Sequence, residues 1–181
     1  MSTGTGAPPE RGRWKRVVLV MVVTLVVLAG VFFGTLQGNA NSATVTSQVR
    51  EAYSSHLSHY SDVNASILAA DYAPNATMVW TGDARNLEGS YATSAIIKEF
   101  FSGYFGVFSS VSVKNATYSV QAAGKGAEVN GSLQLLGSTT TGQSMTASIS
   151  AQETYSRVNG EWVISSETWY FNTFFIEAEL D

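Results

Sequence analysis

The stretch YAPNATMVWTG, Tyr72 to Gly82, decides the fold, because a helical apolar pattern gives way to an extended one inside it. Ahead of it Val63, Ile67, Leu68 and Tyr72 recur at helical spacing. Pro74 then forbids a continuing helix, since its ring removes a backbone donor and clashes with the preceding turn. Thr77, Val79 and Trp80 follow, and β-branched and aromatic side chains favour a pleated, half-buried surface. Trp80 is thereby placed where helices and sheet meet.

Working back towards the amino terminus, Val49, Ala52, Tyr53, Leu57 and Tyr60 predict a first helix of about four turns. Ser61 or Asp62 is positioned to cap a second helix that reaches Tyr72. Before them QGNANSATVT reads as a small polar tether, and Val17 to Leu36 contains no charged residue. At ~1.5 Å per residue that apolar run spans the roughly 30 Å hydrocarbon core of a bilayer, so it reads as a transmembrane signal anchor. The alternative is a cleaved secretory signal, with Gly38 and Ala40 as small residues at the cleavage site, although such signals usually have a shorter apolar region of about 7 to 15 residues. Arg11, Arg13, Lys15 and Arg16 precede the run and no basic residue closely follows it, so residues 1–16 are expected in the cytoplasm and the remainder outside the cell membrane. Asn-x-Ser/Thr sequons at Asn64, Asn75, Asn115 and Asn130 suit that side, where such sites are glycosylated.

Charge divides along the chain, with +3 in residues 1–16 and −7 thereafter. An acidic domain without a basic stripe does not suit a phosphate backbone, which excludes nucleic acid as a partner. The chain has no cysteine, so its core must hold without disulfides, and the residues after the tether suffice for one domain of ordinary size.

On the carboxyl side, GDARNLEGSY is rich in turn residues and Thr93 is placed to cap a third helix. Ile96, Ile97, Phe100, Phe101, Tyr104 and Phe105 give that helix a stripe too wide for a solvent-lying face, so it must be clamped against a sheet. Period-two patterns then predict four strands, about 107–122, 127–136, 144–158 and 161–175. AGKG, GSTTTG and Asn159-Gly160 separate them, the last a type I′ signal. In the second of these strands Ala127, Val129, Leu133 and Leu135 face one way, leaving Asn130 outward.

The order of elements predicts an α+β domain, a cone-shaped curved antiparallel sheet with three helices packed in its concave side, preceded by one transmembrane helix. The expected divisions are tail 1–16, anchor 17–36, tether 37–44 and domain 45–181. YAPNAT, the GSY turn and the closing NGEWVIS strand resemble the nuclear transport factor 2-like superfamily, and within it the SnoaL-like group. YAPNATMVWTG, SAQETYSRVNGEWVISSETWYF and the single anchor look more narrowly like membrane-tethered archaeal SnoaL-like domains of unknown function. The resemblance implies the cone fold with a pocket at its wide end. It also implies, for relatives that are isomerases or cyclases, an acidic base at the end of the first strand beside a Tyr or Asp. Here that register falls on Val79 and Trp80, neither of which accepts a proton. Asp83 lies three residues on, past Gly82, as a weak candidate.

His56 and His59 are three apart on the first helix with Asp62 three further on, but a zinc site needs three or four protein ligands. A buried, hydrogen-bonded His56 is the better reading, and neither a metal nor a cofactor is expected. Glu153 shares a strand face with Met145, Ala147, Ile149, Ala151 and Tyr155. It is either a pocket carboxylate or, if a bulge intervenes, a surface residue. Pairing outward from Asn159-Gly160 puts Arg157 opposite Trp162, Tyr155 opposite Ile164 and Glu153 opposite Ser166. Tyr53, His56, Trp80, Glu153, Tyr155, Thr168 and Tyr170 would then line a pocket for a small apolar ligand. With no base in place, a noncatalytic binding module is favoured over a SnoaL-like enzyme that acts on a small apolar carbonyl compound through Glu153 or Asp83. Val163, Trp169 and Phe171, on the opposite face, would need cover and suggest a homodimer through the outer sheet face.

Overall fold

The computed structural model describes residues 41–84 and 86–177. The expected tail 1–16 and the apolar run Val17 to Leu36 lie outside the described residues, among which no helix is long and apolar enough to cross a membrane. Residues 41–44, expected in the tether, already belong to the first helix, α1, which is described from 41 to 59. It places Val49, Tyr53, His56 and Leu57 in the core. A 3₁₀ turn, Tyr60–Asp62, follows and ends at Val63 in the left-handed region.

The second helix, α2, is Ala65–Ala70, shorter than its apolar spacing predicts, and its cap is neither Ser61 nor Asp62. Asn64 caps it, its side chain accepting bonds from the backbone N–H groups of Ser66 and Ile67. Asparagine caps well because its oxygen satisfies donors that the first turn leaves unpaired. The whole of Tyr72–Gly82 is strand β1. Pro74 is tolerated there because it sits where the pairing of β1 is irregular, between Tyr72 and Thr77.

GSYA, expected as a turn, forms the short strand β2 (Gly89–Ala92), paired antiparallel with β1. Helix α3 (Ser94–Val107) starts at Thr93 as expected, buries Ile97, Phe101 and Tyr104, and leaves Ile96 exposed. Strands β3 (Phe108–Ala123), β4 (Gly126–Thr139), β5 (Ser144–Val158) and β6 (Glu161–Glu177) then form a meander. Asn159 and Gly160 both have positive φ, the geometry a type I′ turn demands.

These strands make one curved, open sheet in the order β2-β1-β6-β5-β4-β3. It is mixed, not antiparallel throughout, because β1 runs parallel to β6. A parallel neighbour needs a long crossover, and the chain between β1 and β6 supplies it. The inner face carries Leu133, Leu135, Ile149, Tyr155, Ile164, Trp169 and Phe171, all buried, against the apolar sides of α1 and α3.

The register of β6 departs from simple alternation. Arg157 and Tyr155 face Trp162 and Ile164 as predicted, but Glu153 pairs with Glu167 and not with Ser166. Ser165 is an extra residue between two pairs, and its hydroxyl donates to the Thr154 carbonyl. A one-residue bulge moves every later side chain to the other face. Trp169 and Phe171 therefore lie inside, and the aromatic grounds for a homodimer through the outer face disappear. Thr168 and Tyr170, expected inside, are outside, with Tyr170 51% exposed.

Candidate functional site

The bulge brings two carboxylates together in the core. Glu153 and Glu167, 1% and 0% exposed, face each other across β5 and β6. Taking a charge out of water costs several kcal/mol unless donors replace the lost hydration. Four side chains do so here. Tyr72 Oη donates to Glu167 Oε2 at 2.6 Å and Trp80 Nε1 to Glu167 Oε1 at 2.9 Å. Tyr155 Oη donates to Glu153 Oε2 at 2.9 Å and Trp169 Nε1 to Glu153 Oε1 at 3.3 Å.

His56 completes the cluster from α1. Its Nδ1 lies 2.9 Å from Asp71 Oδ2, and His59 Nδ1 reaches the same oxygen at 2.8 Å. His56 Nε2 is 3.5 Å from Glu167 Oε2, within ion-pair range but without hydrogen-bond geometry. Burial pulls the imidazole pKa down, but the bond to Asp71 and the nearby carboxylates of Glu167 and Glu153 outweigh it and raise the pKa to about 10. Burial pushes Glu153 up; the His56 charge opposes and Glu167 adds to it, and the carboxyl settles at about 7. Glu153 thus holds a proton readily near neutrality beside a charged imidazole.

The cluster is roofed by rings. Trp80 stacks on Trp169 with centroids 5.4 Å apart, and Tyr60 stacks on Trp169 at 5.2 Å. Phe101 and Tyr104 of α3 meet Trp80 edge-on. On the far side of Tyr104 a cleft of about 500 Å³ opens between α3, β2 and the end of β6. Leu87, Tyr91, Phe100, Phe108 and Phe174 form its apolar walls, and Glu99 is its one carboxylate among the described residues.

A hexachlorocyclohexane dehydrochlorinase, LinA type 2, superposes with a TM-score of 0.61 over 74% of this chain and 89% of its own, at 17% identity. A nuclear transport factor 2-like superfamily protein from Salmonella enterica serovar Typhimurium gives 0.60 over 77% and 95%, at 14% identity. A nuclear transport factor 2-like protein of unknown function from Pseudomonas putida gives 0.59 over 71% and 87%, at 17% identity. The fold is nuclear transport factor 2-like. At such identities the likeness is one of fold, which does not carry an activity. No protein-family model matches the sequence, and no curated protein does.

Within this nuclear transport factor 2-like domain, Tyr53, His56, Trp80, Glu153 and Tyr155 are all buried in one core. None of them, nor Thr168 or Tyr170, lines the apolar cleft. Asp83 is exposed beyond the end of β1, its backbone N–H bonded to the Phe171 carbonyl, and Asp62 is exposed too. Asn64, Asn75, Asn115 and Asn130 are all exposed. Asp71, Tyr72, Glu167 and Trp169 are the members of the cluster that sequence reasoning missed. One signal could have found two of them. Along β6 the large apolar residues change parity between Ile164 and Trp169, which a single inserted residue explains.

Proposed function

We propose that this domain binds a small apolar molecule in the cleft beside α3 and performs no chemistry on it. The observation that carries this reading is a separation of parts. The buried acid-base cluster, His56, Glu153 and Glu167, is sealed beneath aromatic rings, whereas the cleft has apolar walls and its carboxylate, Glu99, is exposed to solvent. A general base must come within hydrogen-bond reach of its substrate, directly or through one water. The cleft volume lies within the roughly 300 to 1,000 Å³ usual for small-molecule sites. In this reading Val17 to Leu36 tethers the domain to the outside of the cell membrane as a SnoaL-like module, supported by the uncharged run, the basic residues before it and the exposed sequons.

Gly103 supplies the test. It lines the cleft, and a Cβ placed there meets nothing within 4 Å. Gly103→Leu should fill the cleft and leave the backbone undisturbed. Saturable 1:1 binding of 2-naphthol, followed by tryptophan fluorescence, is expected in the native chain and lost in Gly103→Leu. Equal binding by both chains would defeat the assignment. Protease protection in intact cells tests the tether, which fails if only the amino-terminal segment is degraded.

A second reading, a SnoaL-like enzyme acting on a small apolar carbonyl compound, is favoured by one feature. Glu153, with its pKa near neutrality, accepts a bond from Trp169, which stacks on Trp80, and Trp80 in turn meets Tyr104 of the cleft lining. Turnover of carbonyl or lactone compounds that disappears in Glu153→Gln would establish this reading over the first.

A further inference from the structure

We propose that His56 Nε2 and one carboxylate oxygen each from Glu153 and Glu167 bind a divalent first-row metal ion, of the Zn²⁺, Mn²⁺ or Fe²⁺ kind, at a buried site with three protein ligands. The proposal is independent of what the cleft binds. It also differs from the His56, His59 and Asp62 spacing in the sequence, which supplies too few converging ligands. Here the topology supplies them, bringing β5, β6 and α1 to one point.

The geometry comes first. One donor atom from each of the three residues lies within 4.8 Å of the others, and His56 Nε2 to Glu167 Oε2 is 3.5 Å. Tetrahedral bonds of about 2.0 to 2.1 Å put donors about 3.3 Å apart, so small side-chain rotations complete the set. His56 Nε2 is the independent observation. It is wholly buried, aimed at the carboxylates, and has no hydrogen-bond partner. Buried polar atoms are rarely left so, and an ion is one of the few things that accounts for them.

The surroundings match what a metal ligand needs. A metal-bound imidazole commonly gives its other N–H to a carboxylate, which fixes the tautomer and aims the lone pair. His56 Nδ1 does this with Asp71. Ligating carboxylates are in turn braced by donors. Tyr72 and Trp80 brace Glu167, and Tyr155 and Trp169 brace Glu153, one donor to each oxygen. Every oxygen keeps a second lone pair for an ion. Charge balances as well, since two carboxylates and a neutral imidazole neutralise a dication. One imidazole with two carboxylates suits Zn²⁺, Mn²⁺ or Fe²⁺ better than Ca²⁺ or Mg²⁺, which take oxygen shells. A fourth ligand would be water. Tyr60, its ring 5.5 Å from that of His56 and its buried hydroxyl unpartnered, is placed to bond it. The aromatic roof closes the site, so the ion would enter during folding and add its binding energy to stability.

The test uses the full-length chain, unfolded in denaturant with chelator, then freed of chelator and refolded with or without Zn²⁺. One equivalent of zinc by elemental analysis, a higher melting temperature and a change in tryptophan fluorescence are expected, since both indoles donate to ligand carboxylates. Glu167→Gln and His56→Gln should lose at least 100-fold in zinc affinity and Asp71→Asn about 10- to 100-fold. Asp83→Asn, a surface change, should lose none. If the ligand variants do not fold, the native chain decides alone. A correctly folded native chain with no stoichiometric zinc, manganese or iron and no stabilisation by any of them would overturn the site, as would unchanged affinity in folded Glu167→Gln.

Discussion

Trp80 and Trp169 stand directly opposite each other on the parallel strands β1 and β6, their ring planes 1° apart, and each indole N–H ends on a different glutamate. The two bonds are not equivalent. Trp80 donates at 2.9 Å to Glu167, which lies against His56, whereas Trp169 donates at 3.3 Å to Glu153. Bonds to charged groups contribute about 1.5 to 3 kcal/mol, neutral ones about 1. Trp80→Phe should therefore cost about 3 kcal/mol or more once lost packing is added, and Trp169→Phe about 2. Urea unfolding of both variants measures the difference, and a larger loss in Trp169→Phe would contradict this ordering.

The buried cluster should make stability fall towards alkaline pH when protons alone occupy it, with chelator present. Both shifts run the same way. Glu153 rises from 4.5 to about 7, so its contribution is full below pH 4.5 and is lost as pH climbs to about 7. His56 rises from 6.5 to about 10, so its contribution is full below 6.5 and is lost as pH climbs to about 10. Asp71, Glu167 and Glu153 are the charged groups that face the imidazole. Unfolding free energies between pH 5 and 9 should decline steadily, and Glu153→Gln should remove the decline below about pH 6, where His56 does not yet contribute to it. A flat profile there in the native chain would refute the Glu153 assignment.

Deleting Ser165 should be tolerated, because it removes the one residue of β6 that stands unpaired between Ile164 and Ser166. Without it Ile164, Ser166 and Glu167 alternate regularly, and Glu167, Trp169 and Phe171 keep their partners and stay inward. The loss should not exceed about 3 kcal/mol, and circular dichroism should show a cooperative, native-like melt. A chain without fixed tertiary structure would mean that the bend at the bulge, and not only the register, is needed for the sheet. The same residue marks the limit of what the sequence makes legible. Helices, hairpins and the inward course of β5 follow from local spacing, because each pattern is complete within a few residues of chain. The pairing of Glu153 with Glu167 depends on an extra residue in another strand, and the parallel contact of β1 with β6 joins segments far apart in sequence. Asp71 was hidden in a different way. Its role comes from the break between α2 and β1, where the chain turns and its carboxylate meets two imidazoles from α1.

Two glycines should respond in opposite directions to the same substitution. Gly103 lies within α3, where a Cβ meets nothing within 4 Å. Alanine there removes the cost of a flexible residue in a helix, so Gly103→Ala should stabilise by about 0.5 to 1 kcal/mol. Gly131 lies in β4 paired with Tyr118 of β3, and a Cβ would fall 2.5 Å from the Thr117 carbonyl oxygen and 2.8 Å from Tyr118 Cβ. Those atoms belong to the paired strand and cannot swing aside as a flexible side-chain end could, so β3 must shift. Gly131→Ala should cost about 1 to 3 kcal/mol, the usual range for forced overpacking. Denaturant midpoints of the two variants measure both effects, and a destabilised Gly103→Ala would mean that the space beside α3 is occupied by something that the Cβ displaces.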